Sequence, residues 1–146
     1  MASSAQARTP MLLWIVGILA LLWNAFGCYD YLMTNTHNAA YLASFPADQL
    51  AYFNSLPSWL TAFWALGVWG GLAGSLLLLA RSRHAVLAFG LSVVGIVVSF
   101  GYQMFATEMP ASMKTGAGAA MPWVIFIVGL FLLWYARSAE KQGLLR

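Results

Sequence analysis

The chain has 146 residues, 62% of them hydrophobic and only 8% charged, with a net charge of +3. A soluble domain is about a quarter charged, and a globule of this composition in water would expose large apolar patches, so lipid is the simpler solvent. The small, scattered positive charge excludes a nucleic-acid surface, and Cys28, the only cysteine, excludes an intrachain disulfide and any CxxC metal or redox site.

Residues 1–10 read as a short disordered cytoplasmic tail with one cation, Arg8. The first span runs from Met11 to about Met33. Its basic flank and apolar start resemble a secretory signal, but no A-x-A site follows, so an uncleaved span is expected. Residues 34–58 form the longest loop and contain no Lys or Arg. Within it, residues 46–55 suit a short amphipathic helix. Pro46 fits the first turn, Asp48 the positive N-terminus, and Leu50 and Phe53 share a face. That helix lies on the membrane surface or caps the bundle.

The second span covers residues 59–80, opened by Trp59 and closed by Arg81-Ser82-Arg83-His84. About twenty uncharged residues cross a bilayer core as a helix. Gly67, Gly71, Gly74 and Ser75 put small side chains on one helical face, where another helix can approach closely. The third span, residues 85–105, carries a matching stripe of Ala88, Ser92, Gly95, Ser99 and Tyr102. Counting away from the short turn pairs Ser75 with Ser92, Gly71 with Gly95 and Gly67 with Ser99. These two stripes are expected to face each other. Residues 106–118 form a second loop, and the fourth span covers 119–136, with Trp134, Tyr135 and Arg137 as its exit anchor. Arg137 to Arg146 reads as a basic tail. The prolines fall in loops or at span ends, so broken helices are not expected.

The expected fold is therefore an all-α, integral-membrane four-helix bundle, one domain over residues 1–146. Arg8, Arg81, Arg83, Arg137, Lys141 and Arg146 lie on one side of it and Lys114 alone on the other. Positive charge collects on the cytoplasmic side, so both termini are expected there and both loops outside.

Polar residues sort by depth. At about 1.5 Å per residue, Asp30 lies roughly 28 Å beyond Met11, at the outer rim of the core. Asn24 is truly within its outer half. Asn24, Asp30, Tyr31, Tyr102 and Gln103 make a candidate outer polar pocket. The plainer reading is interhelical hydrogen bonding for Asn24, interfacial anchoring for Tyr31 and a rim charge for Asp30. The inner half holds only Ser75 and Ser92, which leaves no continuous polar path for an ion. His37 and His84 fall in opposite loops and share no metal. Met104, Met109 and Met113 are too irregular for a soft-metal site. No nucleophile–base pair, paired carboxylates or phosphate loop is present, so neither an enzyme nor a cofactor is expected.

Two stretches carry a likeness. Leu22-Trp23-Asn24-Ala25-Phe26-Gly27-Cys28-Tyr29-Asp30-Tyr31 is the first. The second is Trp64-Ala65-Leu66-Gly67-Val68-Trp69-Gly70-Gly71-Leu72-Ala73-Gly74-Ser75, with Arg81-Ser82-Arg83 after it. Over nearly its whole length the chain resembles short four-span bacterial inner-membrane proteins, often labelled "sugar transporter" or "hypothetical membrane protein". The resemblance implies a multi-pass protein of the bacterial inner membrane, and its label implies transport. It transfers no catalytic or binding residues. The residues themselves lack the mid-membrane carboxylate of small multidrug transporters and the three-helix repeat with a proline–glutamine pair of small sugar carriers. They point first to a non-enzymatic protein acting by association, as a homo-oligomer or within a larger membrane complex. The alternative is a small-solute carrier working as a dimer through the outer pocket.

Overall fold

The computed structural model describes residues 11–114 and 116–146, and among these the regular structure is helical, without any strand. The tail expected over residues 1–10, with Arg8, lies outside the described residues. Helix α1 is Met11–Asn35, α2 is Ala39–Leu42, α3 is Ala47–Ser55, α4 is Ser58–Leu79, and α5 is His84–Ala106. A 3₁₀ turn at Ala111–Met113 precedes α6, Gly116–Lys141. Four of these helices, α1, α4, α5 and α6, are long and apolar enough to cross a membrane. They form a four-helix bundle packed in the order α1–α4–α5–α6.

Helix ends agree with the sequence to within a residue or two, except in α6. That helix runs five residues past Ala136, so Arg137 and Lys141 are helical and not part of a tail. Its inner turns bury Leu132, Tyr135, Ala136 and Ala139, an i, i+3, i+4, i+7 face that demands continued helix. Pro122 also lies inside α6, not at its end, because the helix begins already at Gly116. Proline removes a donor from the ladder, and two glycines precede it. In the same region no described side chain before Leu132 is buried. The outer half of α6 is thus weak in propensity and poor in packing.

Three of the four long helices, α1, α4 and α6, stop by a common device. Gly143 takes a φ of 78°, and the amides of Gly143 and Leu144 bond Glu140 O and Ala139 O. Arg81 (φ 58°) ends α4 the same way, with Arg81 and Ser82 bonding Leu78 O and Leu77 O. His37 (φ 55°) repeats it after α1, onto Thr34 O and Met33 O. This is the Schellman arrangement, which favours glycine because left-handed backbone strains other residues by roughly 1–2 kcal/mol. His37→Gly should therefore stabilise the protein by about 0.5–1 kcal/mol once the extra entropy of glycine is deducted. A lowered unfolding midpoint in mixed micelles would refute this.

Arg81 also corrects the expected register of α4 on α5. Gly67 meets Ser92 and Gly95, Gly70 meets Ala88 and Ser92, and Gly74 meets Phe89. The pairs counted from sequence, Ser75 with Ser92, Gly71 with Gly95 and Gly67 with Ser99, are off by about one helical turn. The count assumed a reversal centred between Arg81 and His84. The left-handed Arg81 reverses the chain earlier, so the residues after it already run back alongside α4.

The expected small-residue stripe also divides. Gly67, Gly70 and Gly74 face α5, whereas Gly71 and Ser75 face α1. The contact with α5 is backbone on backbone. A Cβ on Gly95 would lie 2.5 Å from Phe63 O and 2.6 Å from Gly67 N, and the Ser92 hydroxyl donates to Gly67 O at 2.6 Å.

Candidate functional site

The outer half of the α1–α4 seam is built on Asn24. Its Nδ2 donates to Ala20 O at 2.8 Å and to Ser75 Oγ at 3.2 Å. Ser75 Oγ in turn donates to Gly71 O at 2.8 Å. The side chain fits only because Gly71 lacks a Cβ, which would fall 2.0 Å from Asn24 Oδ1. One turn further out, the buried Cys28 thiol donates to Val68 O at 3.4 Å. Tyr31 then lies edge-on to Trp64 and Trp69, with centroids 5.1 and 6.3 Å away. This face of α1 is a polar ladder closed against α4.

Tyr102 and Gln103 belong to a second group. Tyr102 stands edge-on to Trp59 at 5.0 Å. Gln103 Nε2 donates to Ser99 O at 3.2 Å, and Thr107 Oγ1 donates to Gln103 O at 2.7 Å. The Ser99 hydroxyl is buried without a partner among the described residues. Helix α4 stands between this group and Asn24. Asn24 and Tyr31 therefore lie in one seam and Tyr102 and Gln103 in another, on opposite sides of α4.

Asp30 has a partner that sequence reasoning missed. The Tyr41 hydroxyl donates to Asp30 Oδ1, and Tyr41 packs edge-on against Tyr29 at 5.6 Å. The short α2 that carries Tyr41 exists because Asn38 caps it, its Oδ1 accepting from Tyr41 N at 3.0 Å. Neither this helix, which lies in the stretch read as loop, nor the reach of Tyr41 to Asp30 is expected from the sequence. Helix α3 docks likewise. Its buried residue is Tyr52, whose hydroxyl bonds Thr107 Oγ1 at 2.6 Å. Leu50 and Phe53, expected as its anchoring face, are only half-buried. Residues 36–57 thus cover the outer end of the bundle through two tyrosine contacts, to α1 and to the end of α5.

Burial, and then the bond to Asp30, push the Tyr41 phenol well above its usual range. Burial also pushes Tyr52 up, opposed by the bond to Thr107. A phenol whose folded pKa exceeds its unfolded value contributes stability that is complete below about pH 10. That stability fades as pH rises through the folded pKa. The outer cover should hold unchanged from pH 6 to 9 and loosen only in stronger alkali. Tyr41→Phe should raise chymotrypsin cleavage within residues 36–57 about tenfold at neutral pH, the weight of one hydrogen bond to a carboxylate. An unchanged cleavage rate would remove Tyr41 as a clasp.

His37 and His84 lie at opposite ends of the bundle, and among the described residues no three of His, Cys, Asp and Glu gather as a metal site. No family model matches the chain, and no curated protein or solved structure is significantly similar to it. The molecule is a small multi-pass membrane protein.

Proposed function

We propose that this protein acts by association within the membrane, with further copies of itself or with a larger membrane complex, and not by catalysis. One observation carries the reading. The outer half of α6 contributes no buried side chain among those described, while α1, α4 and α5 are buried in both halves. It presents Met121, Trp123, Val124 and Ile127 outward, and van der Waals packing against another helix is what drives association in lipid.

The polar residues support the same reading from the other side. Asn24, Cys28 and Gln103 hold neighbouring helices or their own backbone. A dimeric carrier for a sugar-like solute, the reading the resemblance suggests, needs those groups turned toward an open vestibule. We place the protein in a bacterial cytoplasmic membrane, with the end bearing Arg81, Arg83, Arg137, Lys141 and Arg146 inside.

Stepwise photobleaching of single labelled particles, captured from native membranes into nanodiscs, tests the reading. Two or more copies per particle, or a fixed stoichiometry with a second membrane subunit, is the expected result. Single copies with no bound protein would overturn it, and saturable sugar counterflow by those single copies would install the carrier instead.

A further inference from the structure

The inner end of the bundle gathers three arginines that are far apart in the chain. Arg83 N donates to Arg146 O, and Arg146 N donates to Arg81 O, each at 2.8 Å. Arg81 Nε donates to Leu144 O at 3.0 Å. These bonds tie the segment after α6 to the turn before α5, so Arg81, Arg83 and Arg146 project from one small knot of backbone. Glu140 is the only acidic residue at this end, and none of the three arginines forms an ion pair among the described residues. An α-carboxylate on Arg146 would still leave the knot net positive.

A small cleft, lined mainly but not wholly by apolar groups, adjoins the knot. It has a volume of about 80 Å³ and is lined by Leu12, Tyr135, Ala139, Gln142 and Leu144. Leu144 belongs to both features, since its carbonyl accepts the Arg81 bond while the residue lines the cleft. Leu12, at the first turn of α1, is 58% exposed and forms the lip toward the surroundings. The cleft therefore lies where the spans end, at the level of lipid glycerol and headgroups.

We propose that this end binds an acidic phospholipid, its phosphate held by Arg81, Arg83 and Arg146 and the first carbons of one acyl chain in the cleft. Guanidinium groups bind phosphate through paired N–H donors. Arg81 is already fixed by its backbone bonds and its bond to Leu144, so little ordering remains on binding. The charge alone would suit any phosphate. The leucines of the cleft beside it, Leu12 and Leu144, favour one that carries a hydrocarbon chain.

Native mass spectrometry of the full chain in mild detergent tests this, with phosphatidylglycerol and phosphatidylcholine of identical acyl chains as probes. Phosphatidylglycerol should bind at least about tenfold more tightly. Each arginine removed should weaken it about fivefold, so Arg83→Gln with Arg146→Gln should weaken it about 25-fold. Arg146→Gln alone, which leaves every backbone bond in place, should show the single fivefold step. Arg137→Gln, a cation of the same end outside the knot, should change binding less than about twofold.

Equal affinity for the two lipids would overturn the proposal. So would unchanged binding in the double variant, or an equal loss in Arg137→Gln, which would reduce the effect to general surface charge. Complete displacement of phosphatidylglycerol by millimolar inorganic phosphate would assign the site to a soluble anion and likewise overturn it.

Discussion

Gly95→Ala should lower the stability of the bundle by about 2 kcal/mol, and Gly95→Leu by about 3 kcal/mol or more, the range of overpacked interiors. The reason is what the new side chain would strike. Phe63 O, Gly67 N and Gly67 Cα lie 2.5, 2.6 and 3.1 Å from an added Cβ. All three are backbone, and no rotamer change moves them. Helices α4 and α5 would have to part, and the bond from Ser92 Oγ to Gly67 O would go with them. Gly90 and Gly101 sit on the same helix with nothing within 4 Å of an added Cβ. Gly90→Ala and Gly101→Ala should therefore be neutral or stabilising by up to about 1 kcal/mol, the helix-propensity gain. Unfolding in rising fractions of sodium dodecyl sulfate, followed by tryptophan fluorescence, separates the two classes. Equal midpoints for Gly95→Ala and Gly90→Ala would refute the backbone contact.

The second large effect is expected where the chain looks least structured. Leu144→Ala with Leu145→Ala should destabilise the protein by about 4 kcal/mol, from about 2 kcal/mol for each buried leucine at the low end of core truncations. Both leucines are buried, at 9% and 6% exposure, in the cluster that holds Leu13, Leu78, Phe89 and Leu132. They join residues of all four spans at the inner end. The same unfolding assay decides: a loss below about 0.5 kcal/mol, the level of ordinary surface substitutions, would show that the leucines hold nothing together.

The spans were legible because an uncharged apolar run of that length has one use in a membrane protein. The end of α6 was misread for a chemical reason. Arg137 and Lys141 resemble an exit, but helix propensity and the Leu132–Ala139 face carry the helix on to the glycine that can stop it, Gly143. The register of α4 on α5 depended on the φ of one non-glycine residue, Arg81, which composition does not reveal. The small residues were legible as packing residues. Which neighbour each one faces was not, because Gly71 and Ser75 differ from Gly67 and Gly74 only by a modest rotation about the helix axis. Asn24, Asp30, Tyr31, Tyr102 and Gln103 could be ordered along their helices by counting residues. Their grouping depended on lateral order, which depth does not give. Tyr41 and Tyr52 carried no signal as clasps, since their partners, Asp30 and Thr107, lie elsewhere in the chain.

The pairing of Arg146 with Arg81 and Arg83 also sets an order of events during synthesis. The turn between α4 and α5 forms early, yet the Arg83 amide and the Arg81 carbonyl wait for a partner that is made only after α6. Until residue 146 is free, all four spans can sit in the bilayer with their inner end unlatched. A chain cut just before Arg146 would keep its four spans but lose the bonds that close their inner end.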